Sequence, residues 1–430
     1  MRHSVLKNLD WFSVILYLLL VIMGWIAIFS TTYNDTNFTS VFDLNQFYGK
    51  QLMFIELSFV LITFILAIDS RFFPNTAIIF YGISILLLLG LFVFGKETNG
   101  AKAWYAIGSI TVQPSEFAKV ATALFFSRYV SDIHTHIERS SRDLMKAILI
   151  ICIPAVLILL QPDVGSLIVF FSLVFVLFRE GMPSAFLFYI FLAGVTFVST
   201  LKFGATITIL GAALCITIYA IWYKRKKHHI PYQNIFILSL LCLASAMITK
   251  PAYEGVLKQH HRNRLNLWLR LENDPAKIAA MKRDFAYNTN MAESAITSGG
   301  FFGKGFLQGT RTKGSFIPEQ HTDYIFTTIG EEWGFVGTTA VVVVFSMLLF
   351  RLIILAERQK SKFNRVYGYS VVSILFVHFV INIGMVISLI PTIGIPLPFF
   401  SYGGSGLWSF TILLFIFLRL DASRGSNWIR

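Results

Sequence analysis

The chain is poor in charge. Of its 430 residues only 14% are Asp, Glu, Lys or Arg, while 55% are hydrophobic. A soluble domain carries about one-quarter charged residues to solvate its surface, so a water-soluble globular protein is excluded. Cysteine is scarce: Cys152, Cys215 and Cys242 all fall inside apolar runs, which supports neither a disulfide framework nor a metal site. The Leu, Ile and Phe runs lack period-2 alternation, which argues against a membrane β-barrel. Low-complexity tracts and internal repeats are absent. No cleavable leader is expected either. Met1 to Asn8 is short and basic, and the first apolar run has no small-residue cleavage site, so it is expected to stay as a signal anchor. The net charge of +13 is no nucleic-acid signal, because most of it marks membrane orientation.

What the chain has is apolar runs near 20 residues, the length a helix needs to cross roughly 30 Å of hydrocarbon. Backbone polar groups in lipid must be satisfied within the segment, so helices are expected. The reading is an all-α polytopic membrane protein with about twelve helices, near 10–30, 50–68, 75–95, 115–131, 145–161, 164–179, 183–200, 204–223, 232–249, 324–355, 366–390 and 404–420. Lys and Arg concentrate in alternate loops, among them Lys224 to Lys227 and Arg358 to Arg365, and such loops lie in the cytoplasm. Both termini are then cytoplasmic and the long polar stretch Pro251 to Thr322 lies outside. That stretch carries ten Lys/Arg against six Asp/Glu; it either meets an anion or is merely solvated.

Four outer-face segments carry the polar chemistry. The first is Trp104-Tyr105-Ala106-Ile107-Gly108, then Gln113-Pro114-Ser115-Glu116-Phe117-Ala118-Lys119. Proline and an acid mark a helix start, and capping alone would explain Ser115 and Glu116. Glu116 and Lys119 are also three apart on one face, and ionisable groups inside a span usually line a cavity or pair. The second, Gln161-Pro162-Asp163-Val164-Gly165-Ser166, reads on residue types as a tight turn. The third has four glycines in Ser298 to Gly305, then Gly309-Thr310, and closes on His321-Thr322-Asp323. The glycines would let backbone approach a ligand. Asp323 is either the N-cap of the next helix or a reactive carboxylate. The fourth runs from His378 and Asn382 through Pro391-Thr392-Ile393-Gly394-Ile395-Pro396-Leu397-Pro398 to Ser401-Tyr402-Gly403-Gly404-Ser405. Irregular backbone at membrane depth is tolerated where it lines a cavity; His378 fits an interhelical hydrogen bond. An acid at the membrane edge behind a basic loop can meet a lipid-linked anion, which suggests an enzyme working at a membrane surface.

Together and in this order, Gln-Pro-Ser-Glu, Gln-Pro-Asp, His-Thr-Asp-Tyr-Ile-Phe with Gly330-Glu331-Glu332, and Pro-Leu-Pro with Ser-Tyr-Gly-Gly-Ser resemble the SEDS family of RodA, FtsW and the sporulation homologue. The resemblance covers nearly the whole chain. Gly303 to Thr310, and Ile393 where FtsW proteins carry Lys, place it nearer the RodA branch. It implies the SEDS fold as a single membrane domain over 1–430, with ten family spans plus an extra hairpin at 204–249 and an extracytoplasmic loop at 250–323. It implies a peptidoglycan glycosyltransferase of the bacterial cytoplasmic (inner) membrane, polymerising lipid II with release of undecaprenyl pyrophosphate in cell elongation and shape. A septal, FtsW-type role, a lipid II flippase and a scaffold remain as alternatives. The implied partner is a class B penicillin-binding transpeptidase.

The resemblance gives Asp323 as the catalytic base and Trp104, Glu116, Lys119, Arg264, Lys304 and His321 as substrate-binding residues. Gln161, Asp163, Asn382 and Ser401 are implied as cavity-lining. No cofactor is implied beyond an optional divalent cation such as Mg2+ on the pyrophosphate, and no ligand cluster in the sequence marks a metal site. Met291-Ala292 stands where the family has Gln-Ser, and Asp274 to Tyr287 is longer than usual.

Overall fold

The computed structural model describes residues 5–33, 40–98, 101–108, 110–227, 232–255, 259–271, 274, 287–313 and 319–424. The stretch 275–286, the core of the expected insertion, lies outside the described residues. The chain divides into two compact units, Met1–Gly181 with Asn288–Arg430, and Met182–Tyr287.

In the second unit the helices Ser184–Phe203, Ala205–Lys227 and Tyr232–Gly255 are each long and apolar enough to cross a membrane. The latter two occupy the place of the expected extra hairpin. Helix Gln259–Leu269 follows and carries Arg264.

The first unit holds seven further helices of spanning length and composition: Trp11–Thr32, Phe47–Ala67, Phe72–Phe94, Ser141–Leu160, Ile325–Glu357, Lys362–Val386 and Gly404–Ala422. With the three above, ten described helices meet that test, and the chain is a multi-pass membrane protein. Two expected spans depart from it. Helix Pro114–Ser131 is 18 residues long but carries Glu116, Lys119 and Arg128. The 164–179 run is two short helices, Val164–Phe170 and Leu173–Arg179. Between them the amides of Phe171, Ser172 and Val174 each bond three residues back, tightening the turn.

Gly404–Ala422 is the most buried of the spanning helices. It packs on Phe47–Ala67, Pro114–Ser131 and Lys362–Val386. Ile325–Glu357 is tied at its far end by Arg351 to Asp10 (2.5 Å) and by Arg358 to Asp421.

One element is not helical. Strands β1 (Lys96–Thr98), β2 (Ala101–Ile107) and β3 (Ile110–Val112) form a small antiparallel sheet in the order β1-β2-β3. Trp104, Tyr105 and Ile107 in β2 and all three residues of β3 are aromatic or β-branched, residue types that suit a pleated surface.

The helix Ile325–Glu357 has 33 residues, about 50 Å at ~1.5 Å per residue, more than one crossing needs. Gly334 breaks it, with φ 62° and ψ −154°, a conformation open essentially only to glycine. The glycine-rich loop fills the break. Lys304 N donates to Glu331 O (3.0 Å), Gly305 N to Glu332 O (2.9 Å), Phe335 N to Gly300 O (3.0 Å) and Val336 N to Phe301 O (3.1 Å). The glycines were expected to admit a ligand, yet they let one backbone lie against another. A Cβ on Gly334 would sit 2.7 Å from Phe301 O. Gly334→Ala is therefore expected to cost at least ~1–3 kcal/mol of backbone strain, read as a lower unfolding temperature of the detergent-solubilised protein.

Candidate active site

Asp323 sits in the turn before helix Ile325–Glu357, part-exposed. The N-cap of that helix is Tyr324, and no side-chain cap bond is made. Asp323 is thus not the N-cap residue of that helix. Its surroundings are built from the fourth segment. Asn382 Nδ2 donates to Asp323 O (2.9 Å) and to Ile395 O (2.7 Å). Ser401 Oγ donates to Thr322 O (2.7 Å) and accepts from Leu397 N (2.8 Å). Tyr402 N donates to His321 O (2.9 Å). The backbone of His321, Thr322 and Asp323 is thus held at three successive carbonyls. A Cβ placed on Gly394 would lie 3.1 Å from Asp323 Oδ2, so the carboxylate lies against residue 394, whose φ of +82° favours glycine.

His321 lies in an aromatic setting. Its ring stacks on Phe47 (4.2 Å between centroids, 20°) and meets Tyr402 edge-on (5.5 Å, 68°). Burial pushes its pKa below the usual histidine value, partly opposed by the Glu319 charge. The side chain is therefore neutral at pH 7.

Glu116 and Lys119 form an ion pair at 2.7 Å, only 3% and 2% exposed. Ser409 Oγ donates to the second Glu116 oxygen (3.1 Å). Lys119 Nζ also reaches His378 Nε2 (2.9 Å), and His378 Nδ1 contacts Pro396 O (3.1 Å). The interhelical bond expected of His378 is present, and it leads to the loop that flanks Asp323.

Asp163 is the N-cap of Val164–Phe170, accepting from Ser166 N (3.0 Å) and from Gln113 Nε2 (2.9 Å). Gln161 is buried and donates to Leu88 O (2.8 Å). Trp104 lies in β2 opposite Lys96. Arg264 belongs to the second unit. Lys304 pairs with Glu331 at 2.6 Å. Glu331, fully buried, also accepts from the backbone amides of Thr310, Arg311 and Thr312 at 2.9–3.0 Å. Its carboxylate is thus the anchor of the loop carrying Lys304.

Sequence reasoning missed several supports. Thr289 Oγ1 bonds Thr392 Oγ1 (3.0 Å) and Tyr324 OH (3.1 Å). Gln51 accepts from Gly403 N (3.1 Å). Thr392 and Tyr324 lie inside the recognised motifs and could have been read there; nothing in the sequence around Thr289 or Gln51 marks them. Among the described residues no group of three or more His, Cys, Asp or Glu side chains could hold a metal ion.

Comparison with known proteins fits this arrangement. The family model described as "Cell cycle protein" (FTSW_RODA_SPOVE) matches residues 10–227 and 206–426. The peptidoglycan glycosyltransferase RodA of Treponema pallidum is 28% identical, over 98% of this chain and 99% of its own. The peptidoglycan glycosyltransferase MrdB of Escherichia coli K12 is 30% identical, over 82% and 80%. Among solved structures, a chain of a peptidoglycan synthase complex that coordinates polymerization and crosslinking superposes with TM-score 0.69 at 25% identity, covering 97% of this chain and 98% of that one. RodA of Thermus thermophilus shares the fold, with TM-score 0.57 over 97% of each chain at 23% identity. On these matches and the motif geometry, the chain belongs to the FtsW, RodA and SpoVE family.

Proposed function

We propose that this chain is a peptidoglycan glycosyltransferase that polymerises lipid II into glycan strands on the outer face of the cytoplasmic membrane, in the manner of RodA. The observation that carries the reading is Asp323: a part-exposed carboxylate on a turn whose three successive carbonyls, of His321, Thr322 and Asp323, accept from Tyr402 N, Ser401 Oγ and Asn382 Nδ2. The loop charge pattern supports an outward-facing site.

The acceptor is a sugar hydroxyl of one lipid-linked disaccharide. The donor is the anomeric carbon of another, bearing the growing strand. Asp323 takes the hydroxyl proton as the new C–O bond forms. The bond from the anomeric carbon to the pyrophosphate oxygen breaks, its electron pair leaves with undecaprenyl pyrophosphate, and the carbon inverts. Neutral His321 adds no charge beside the base and fixes the turn by its stacking. Lys304, paired with Glu331 at 2.6 Å, is the cation proposed to receive the pyrophosphate; Arg264 is carried over as a substrate-binding residue on the family resemblance alone. A divalent cation carried as the counter-ion of the pyrophosphate would supply further charge neutralisation there. A class B penicillin-binding transpeptidase is the proposed partner that crosslinks the product.

Purified protein with lipid II in detergent, where there is no membrane to cross, tests the reading. Glycan strands on a gel are the expected result. Their absence, even with the transpeptidase added, would favour a flippase. Chelation of divalent cations is expected to slow strand formation, and added Mg2+ to restore it.

A further inference from the structure

Two residues four apart on helix Lys362–Val386, His378 and Asn382, hold successive carbonyls of one loop. The loop from Pro391 to Pro398 has no regular secondary structure, and its three prolines have no amide hydrogen to give. Side chains from a neighbouring helix take over the work of its own backbone. The ammonium of Lys119 has donors only, so His378 Nε2 is the acceptor of that contact. The ring proton is then on Nδ1 and is donated to Pro396 O. Asn382 gives both amide hydrogens away, one to Ile395 O and one to Asp323 O. It is fully buried, and its Oδ1 has no partner among the described residues. An amide held by its donors alone is a positioning device more than a balanced core hydrogen bond. Glu116 and Lys119, both nearly inaccessible and mutually satisfied, touch this arrangement at His378.

We propose that His378 and Asn382 are positioning residues that fix the Asp323 carboxylate against the 394–396 backbone, and that the Glu116–Lys119 pair acts on the reaction through His378 and not by touching substrate. The inference rests on Asp323 being the general base. It adds that the base is set in place from helix Pro114–Ser131, through helix Lys362–Val386, to the loop.

Initial rates of strand formation against lipid II concentration test this in the full-length protein. Asn382→Leu, Asn382→Ser, His378→Leu and His378→Gln are compared, with Asp323→Asn as reference. Displacement of a catalytic group by about 1 Å can cost ~10²-fold. Asn382→Leu and His378→Leu are expected to lower kcat by about that factor, with KM within roughly twofold. Asn382→Ser, small enough to be accommodated, is expected to show the same split if the Leu variant does not fold. His378→Gln keeps an acceptor for Lys119 and is expected to recover at least about tenfold over His378→Leu. A raised KM with unchanged kcat would overturn the proposal, since it marks substrate contact. Unchanged kcat in both Asn382 variants would overturn it as well. If instead Asp323→Asn keeps the wild-type rate, the base assignment itself has failed.

Discussion

Asp323→Asn is expected to lower the rate of glycan strand formation by about 10²–10⁴-fold, the usual contribution of a positioned general base. The amide matches the carboxylate in shape but cannot accept the acceptor hydroxyl's proton. The N-cap of helix Ile325–Glu357 is Tyr324 and the amide keeps the carboxylate's shape, so the helix should survive the change and the loss should lie in kcat. The pH profile of kcat/KM supplies a second check. Activity should rise with pH along a single acid limb, that of the carboxylate. Burial lowers the His321 pKa, so any histidine inflection should fall below ~6.5, the value of an exposed histidine. A wild-type rate in the asparagine variant would remove the mechanism.

The second large effect concerns the ion pair that never meets solvent. Lys119→Leu leaves the Glu116 carboxylate buried with only the Ser409 hydroxyl. Breaking one side of a buried pair costs about 3–5 kcal/mol. Removing both charges together, in Glu116→Leu/Lys119→Leu, is expected to regain most of that, because an apolar pair of similar volume is often neutral in such a place. Thermal unfolding in detergent of the two singles and the double gives the coupling. Additive losses would show that the two charges stabilise the fold independently.

Most of the helical framework was legible in the sequence, since apolar runs of spanning length have one solution in lipid. Ends shifted by a few residues; 366–390, for instance, stops at Val386. The break at Phe171-Ser172 was not legible, because an apolar run looks the same whether its turns are α or tighter. The sheet at 96–112 was hidden by its brevity and by its place in a motif read for chemistry alone. At the site, Asp323 was readable by resemblance, and the N-cap position of Tyr324 only from the structure. The glycine run could not be assigned from sequence because glycine permits close approach without naming what approaches; in the structure Gly299 and Gly303 lie against the 330–333 backbone. Lys304 looked like a free cation because its partner Glu331 lies 27 residues on, and Gln51 gave no hint of a partner 352 residues away.

That last separation bears on how the protein comes into being. Gly404–Ala422 is made after every other described helix, and it supplies Ser409 to Glu116, while the turn just ahead of it brings Gly403 to Gln51 and Ser401 to the turn before Asp323. A nascent chain emerging from the ribosome carries its reactive acid long before the parts that fix it. Competence arrives late in synthesis, so an unfinished enzyme has little means of acting on precursor already waiting in the bilayer.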